Sequence, residues 1–201
     1  MNDFLFWLQI GVEHIADLKA YDHILFLLVL FIPFELSDWK SLLLLVTAFT
    51  IGHSITLITS TLSIFSLPTD IVEFLIPVTI LATCVQNLRK LKSDFVKINP
   101  LTYLIVLLFG FIHGMGFSAL LRSLLGSEES IVLPLLSFNI GIELGQILIL
   151  AVFYLFYFLF RRIFSLNPYN IRFFVSAAAF GIAFIMAAER FYLLFNVQNE
   201  I

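Results

Sequence analysis

Charge is the scarcest ingredient of this chain. Only 12% of its 201 residues are Asp, Glu, Lys or Arg, about half the share found in an ordinary soluble domain. So few charges cannot clothe a water-exposed surface, which excludes a soluble globular domain. The net charge is −3 and the basic residues are dispersed, so there is no basic face of the kind that binds nucleic acid. Cysteine is nearly absent. Cys84 stands alone, so it forms no internal disulfide, carries no information about redox compartment and reads as a small buried hydrophobe. Methionine is limited to Met1, Met115 and Met186, which gives no thioether cluster to select Cu(I). The opening Met-Asn-Asp-Phe has no positive n-region and reads as mature structure rather than a signal peptide.

What is present is long apolar sequence: 61% of residues are hydrophobic and mean hydropathy is +1.04. Several runs reach about the 20 residues that cross a ~30 Å hydrocarbon core. They do not alternate lipid-facing and lumen-facing residues as barrel strands do. The expectation is an all-α integral membrane protein, with one polytopic domain over residues 1–201. Residues 1–20 read as a short interfacial or re-entrant helix with Trp7 as a headgroup-level anchor. Six spanning helices follow at about 21–36, 39–62, 71–90, 101–125, 131–160 and 170–195. Pro77 should kink the third.

Basic residues orient this bundle. The loops after spans one, three and five hold eight of them: Lys40, Arg89, Lys90, Lys92, Lys97, Arg161, Arg162 and Arg172. The other side keeps three, Lys19, Arg122 and Arg190. The positive-inside rule then places both termini on the non-cytoplasmic side. In that topology His14, Asp22, His23, His53 and His113 share the outer half of the bilayer, with Glu73 and Glu189. Glu143 lies ~18 Å from the outer end of its helix at 1.5 Å per residue.

Ionisable groups inside hydrocarbon need partners, because a carboxylate at the bilayer centre costs at least ~2.5 kcal/mol. Histidine and carboxylate together suit divalent transition metals such as Ni, Co or Zn. A structural alternative is that the same groups simply hold helices together. Asn139, Glu143 and Gln146 are spaced i, i+4, i+7 and fall on one stripe of the fifth span. They are candidates for interhelical hydrogen bonds or for lining a pathway, and Ser54 and Glu73 are candidate neighbours of that pathway. Gly110 and Gly114, like Gly141 and Gly145, have the four-residue spacing that lets helix backbones approach closely.

Four blocks of this sequence resemble those of the HupE/UreJ family of bacterial membrane proteins. They are Gly11-Val-Glu-His14 with Asp22-His23-Ile-Leu-Phe-Leu-Leu, Thr47-Ala-Phe-Thr-Ile-Gly-His53-Ser-Ile-Thr-Leu57, Phe109-Gly-Phe-Ile-His113-Gly-Met-Gly-Phe, and Phe138-Asn-Ile-Gly-Ile-Glu143-Leu-Gly-Gln146. The resemblance implies a six-helix, permease-like protein of the bacterial inner membrane, associated with uptake of nickel or cobalt. It also implies that His14, Asp22, His23, His53, His113 and Glu143 line the metal's path. The family's nickel-uptake members set the first His closer to the Asp-His pair than the seven residues intervening here. They also carry a further histidine where Met115-Gly-Phe stands. The chain is therefore more similar to the second HupE/UreJ branch, and the longer spacing makes Asp22-His23 central and His14 a neighbour.

Three functions stay open at this level. A permease would string its ligands along a path. An intramembrane zinc-dependent hydrolase would close three His and an Asp around one ion, with Ser54 or Glu143 assisting. Hydrolases of the alkaline-ceramidase type usually have seven helices and paired histidines one turn apart, neither of which is found here. An accessory subunit would bind no metal. The partners expected are the lipid bilayer and a metal ion, with no nucleic acid; homo-oligomerisation is left open.

Overall fold

The computed structural model describes residues 3–89, 100–125 and 131–196. The basic linker from Lys90 to Lys97 and the loop over 126–130 lie outside these residues. Among the described residues there are helices α1 (Asp3–Ile15), α2 (Asp22–Phe31), α3 (Trp39–Thr61), α4 (Thr69–Arg89), α5 (Pro100–Leu125), α6 (Val132–Phe164) and α7 (Pro168–Asn196). A 3-10 turn covers Leu36–Asp38, and no strand occurs among the described residues.

Local chemistry explains the boundaries. α2 stops at Phe31, short of the expected end near 36: Ile32 keeps helical backbone and donates its N–H to the Leu28 carbonyl, but Pro33 has no N–H with which to continue the ladder. Ser165 adopts a left-handed conformation (φ 50°) that closes α6. The Asn167 side chain then accepts a hydrogen bond from the Tyr169 N–H at 2.9 Å, and Pro168 opens α7, where its missing N–H costs nothing. Pro77 is accommodated within a continuous α4. Five helices, α3 to α7, are long and apolar enough to cross a membrane, whereas the ten residues of α2 are not.

The helices pack as three long pairs, α3 along α5, α1 along α6 and α4 along α7. Two of these pairs are built on glycine. A Cβ at Gly52 would collide with the Leu107 carbonyl, and one at Gly110 with the Phe49 carbonyl. The same reciprocal arrangement joins α1 to α6, where Gly11 faces the Phe138 carbonyl and Gly141 the Leu8 carbonyl. Further along, Gly114 meets His53 and Thr56, and Gly145 meets Val12 and Ile15. Contacts advance in the same direction on both members, so each pair crosses in parallel.

This packing corrects the reading of the N-terminal segment. Trp7 is 2% exposed, so it is a core residue between helices and not a headgroup-level anchor. The reason is the close α1–α6 approach, which encloses its ring. α1 follows α6 along Phe138–Gly145, and α2 meets the same helix further on, where the Phe31 ring lies 4.5 Å from Tyr154. α2 is held to α4 by Asn87 Nδ2, which donates to the Val29 carbonyl at 2.7 Å. α1 and α2 thus lie one after the other along α6, with the turn at residues 16–21 between them.

A testable contrast follows from the glycines. Gly52→Ala should lower stability in detergent by about 1–3 kcal/mol, the usual cost of overpacking. Gly181, whose added Cβ would meet nothing within 4 Å, should tolerate alanine or gain up to about 1 kcal/mol of helix propensity. Thermal unfolding of the two variants checks both.

Candidate metal centre

The glycine crossings bring together histidines from α1, α3 and α5, and α2 adds a fourth. His14 sits one turn after Gly11 on α1, His113 one turn after Gly110 on α5, and His53 directly after Gly52 on α3. His23 follows Asp22 in the first turn of α2. Ring centroids are 4.8 Å apart for His14–His23, 5.8 Å for His14–His53 and 5.3 Å for His23–His113. His14, His23 and His53 each offer a ring nitrogen within 4.8 Å of the other two. His14 is therefore a full member of the group, brought in by the α1–α6 contact despite its distance from Asp22 in sequence.

Aromatic rings form the walls. His14 lies against Phe117 at 3.9 Å and Phe138 at 5.7 Å, and those two phenylalanines stack on one another. On the other side Phe26 and Phe49 stack at 5.0 Å and flank His113. Buried polar groups in such surroundings ordinarily find hydrogen-bond partners. Among the described residues both ring nitrogens of His53, which is 0% exposed, have none, and neither do Nε2 of His14, His23 and His113. These converging nitrogens could hold a metal ion.

Neighbouring groups orient the imidazoles. The Phe109 carbonyl lies 2.8 Å from His113 Nδ1, and a carbonyl only accepts, so Nδ1 carries the proton and Nε2 keeps its lone pair. Asp22 Oδ1 is 3.0 Å from His23 Nδ1 and accepts the His23 backbone N–H at 2.7 Å. The Asp22 carboxylate thus stands beside the His23 ring and restricts its orientation. The set fits a small divalent ion after modest adjustment. Tetrahedral bonds of about 2.0–2.1 Å hold nitrogens roughly 3.4 Å apart, so the three donors need to close by about an ångström.

A half-open cavity of about 310 Å³ leads to this group. His14, His23, His113 and Asp22 line it together with Asp17, Glu73 and Arg190, and His53 lies behind them. A larger groove of about 590 Å³ between α2, α6 and α7 has almost wholly apolar walls and no histidine or carboxylate. Phe156, Phe160, Phe164 and Phe174 of its walls are exposed.

The remaining sequence candidates divide. Glu143 is not in the histidine group; it accepts a 2.6 Å hydrogen bond from Thr47 Oγ1. Gln146 Oε1 accepts from Thr50 Oγ1 at 2.9 Å, and its Nε2 is buried without a partner. Asn139 Nδ2 donates to the Leu135 carbonyl while its Oδ1 is buried without a partner among the described residues, and Ser54 Oγ donates to the Thr50 carbonyl. Glu73 pairs with Arg190 at 2.6 Å. Thr47, Thr50, Asp17, Arg190 and the aromatic walls were not readable as site residues from sequence. The one available signal was the equal spacing of Thr47–Thr50 and Glu143–Gln146, which acquires meaning only once α3 and α6 are known to touch.

Fold and site together define a multi-pass helical membrane protein with a buried, multi-helix histidine cluster. The chain belongs to the HupE/UreJ family: the family model described as HupE / UreJ protein matches residues 1–194, nearly its whole length. No curated protein and no solved structure matches it.

The His113 geometry carries its own check. Nitrogen chemical shifts of labelled histidine in the metal-free protein should show His113 as the Nδ1-protonated tautomer, beside a second such ring for His23 against Asp22. The His113 signal should disappear in His113→Ala while that of His23 persists.

Proposed function

We propose that this protein is a permease for a divalent transition metal, nickel or cobalt foremost, in a bacterial inner membrane. The observation that carries this reading is the convergence of unpartnered imidazole nitrogens at the inner end of an open cavity. A hydrated cation would exchange its water for His14, His23 and His113, then meet His53 behind them. Glu143 with Thr47, and Gln146 with Thr50, extend the polar path along α3 and α6 beyond the histidines. Imidazoles must be neutral to ligate, so a titrating histidine can exchange its proton for the metal, which offers a means of coupling to a proton gradient.

The topology that suits this role has six crossings with both termini outside the cytoplasm. The first crossing is then a discontinuous helix. α1 and α2, at 13 and 10 residues, span about 20 Å and 15 Å end to end, together enough for a ~30 Å core. Broken helices are where transporters place midplane sites, because irregular backbone at that depth is tolerated only against a cavity. The break between α1 and α2 presents Asp17, Ala20, Asp22 and His23 to the cavity.

One observation favours a second reading. The compactness of the His14, His23 and His53 group, with Asp22 behind His23, also suits a zinc-bound water and hydrolysis within the membrane. The two readings part in experiment. Cells or liposomes bearing the protein should accumulate radioactive nickel or cobalt, and accumulation should fall to background in His53→Ala and His113→Ala variants that remain folded. Unchanged accumulation alongside zinc-dependent hydrolysis of lipid amides or esters, lost in His23→Ala, would decide for the enzyme.

A further inference from the structure

The cavity in front of the histidines has an electrostatic feature that the permease reading does not use. Its charged lining consists of Asp17, Asp22, Glu73 and Arg190. Two of the carboxylates are engaged locally, Asp22 with His23 and Asp17 with the backbone N–H of Lys19. Arg190 is the one permanently positive side chain among the lining residues. Placed in a cavity with low-dielectric walls, an unpaired guanidinium would repel an entering cation, since such walls focus a charge's field. Its partner is Glu73, which reaches across from α4 to α7 with Oε2 2.6 Å from Arg190 Nη1.

The Arg190 and Glu73 side chains are 46% and 38% exposed, so the pair is not sealed in the core. Beside it, Phe74 and Phe191 already join the same two helices at 5.7 Å. Pro77, which also lines the cavity, has no N–H to offer the Glu73 carbonyl one turn earlier.

We propose that the Glu73–Arg190 pair sets the electrostatic potential of the vestibule and so the affinity and rate with which a divalent cation reaches the histidine cluster. The inference rests on the metal reading above. Glu73 neutralises Arg190, and the remaining carboxylates then give the vestibule a net attraction for cations. Loss of Glu73 unmasks Arg190 and closes the cavity electrostatically without moving a helix. Loss of Arg190 frees the Glu73 carboxylate as an additional attractive charge at the mouth. Both are positioning residues for the cation's approach and neither is assigned as a ligand.

The test is cobalt(II) binding to the purified full chain in detergent, followed by visible absorption and calorimetry at low and high salt. Glu73→Gln should weaken binding and Arg190→Gln strengthen it, each on the order of tenfold at low salt, the scale of one unit charge acting across a partly solvated cavity. The E73Q/R190Q double variant should return close to wild type, and all differences should shrink at high salt as screening grows. The charge-swapped E73R/R190E chain should also bind like wild type, which guards against a single variant that misfolds. Binding that is equal in all folded variants would overturn the inference. So would equal weakening by both single variants in step with a lower unfolding temperature, since that marks a simple helix clamp. Absence of cobalt binding in the wild type removes the metal reading and this inference with it, whereas the preceding outcomes remove the inference alone.

Discussion

Backbone-to-backbone contact at two glycine crossings is the constraint on which the site depends. At Gly52–Gly110 and Gly11–Gly141 no side chain separates the helices, so each pair is held at a separation that any Cβ would increase. In lipid, helices gain little from hydrophobic association, and close van der Waals packing at small residues is what holds them. The histidines ride on these crossings. His53 adjoins one glycine, and His14 and His113 each follow another by a single turn. Fixing the crossings therefore fixes the height and the facing of three imidazoles at once.

The fourth imidazole arrives by a different device. The chain interrupts its first helical passage between Ile15 and Asp22, and the restart places His23 4.8 Å from His14. An unbroken helix would have carried residue 23 about 13 Å further along its axis. The interruption also exposes Asp17 and Asp22 to the vestibule, which brings carboxylates to a cavity whose other walls are largely apolar. Orientation comes from two further groups, the Phe109 carbonyl behind His113 and the Asp22 carboxylate behind His23. Apolar rings of Phe26, Phe49, Phe117 and Phe138 wall the inner side of the set, while the vestibule opens on His14, His23 and His113.

Much of the scaffold could be read directly. Helices α3 to α7 lie close to the spans expected from continuous apolar runs, because a run of that length leaves the backbone no other way to satisfy its polar groups in hydrocarbon. His23, His53 and His113 stood out as polar residues inside such runs, and the structure gathers them. Trp7 was misread because a tryptophan near a chain end has the same local signature whether it meets headgroups or a neighbouring helix. His14 was set beside Asp22-His23 as a neighbour, and its place in the group depends on α6, more than a hundred residues away in the chain. Glu143 was named as a pathway residue, and its hydrogen bond to Thr47 puts it in a polar pair apart from the His14, His23 and His53 group.

Composition and periodicity by themselves determined that this chain is a helical membrane protein, which segments are long enough to cross, and which residue types are costly to leave unpaired there. Four sequence blocks were enough to carry the family. These properties are local: each depends on a window of about 20 residues and its solvent. Only the tertiary structure decided that α1 pairs in parallel with α6 and α3 with α5, that three of the four histidines bring ligand atoms within 4.8 Å of one another, and that Arg190 faces Glu73 across their entrance. Those outcomes depend on which helices touch and at what height, and small-residue contacts between distant segments leave no mark in any single window of sequence.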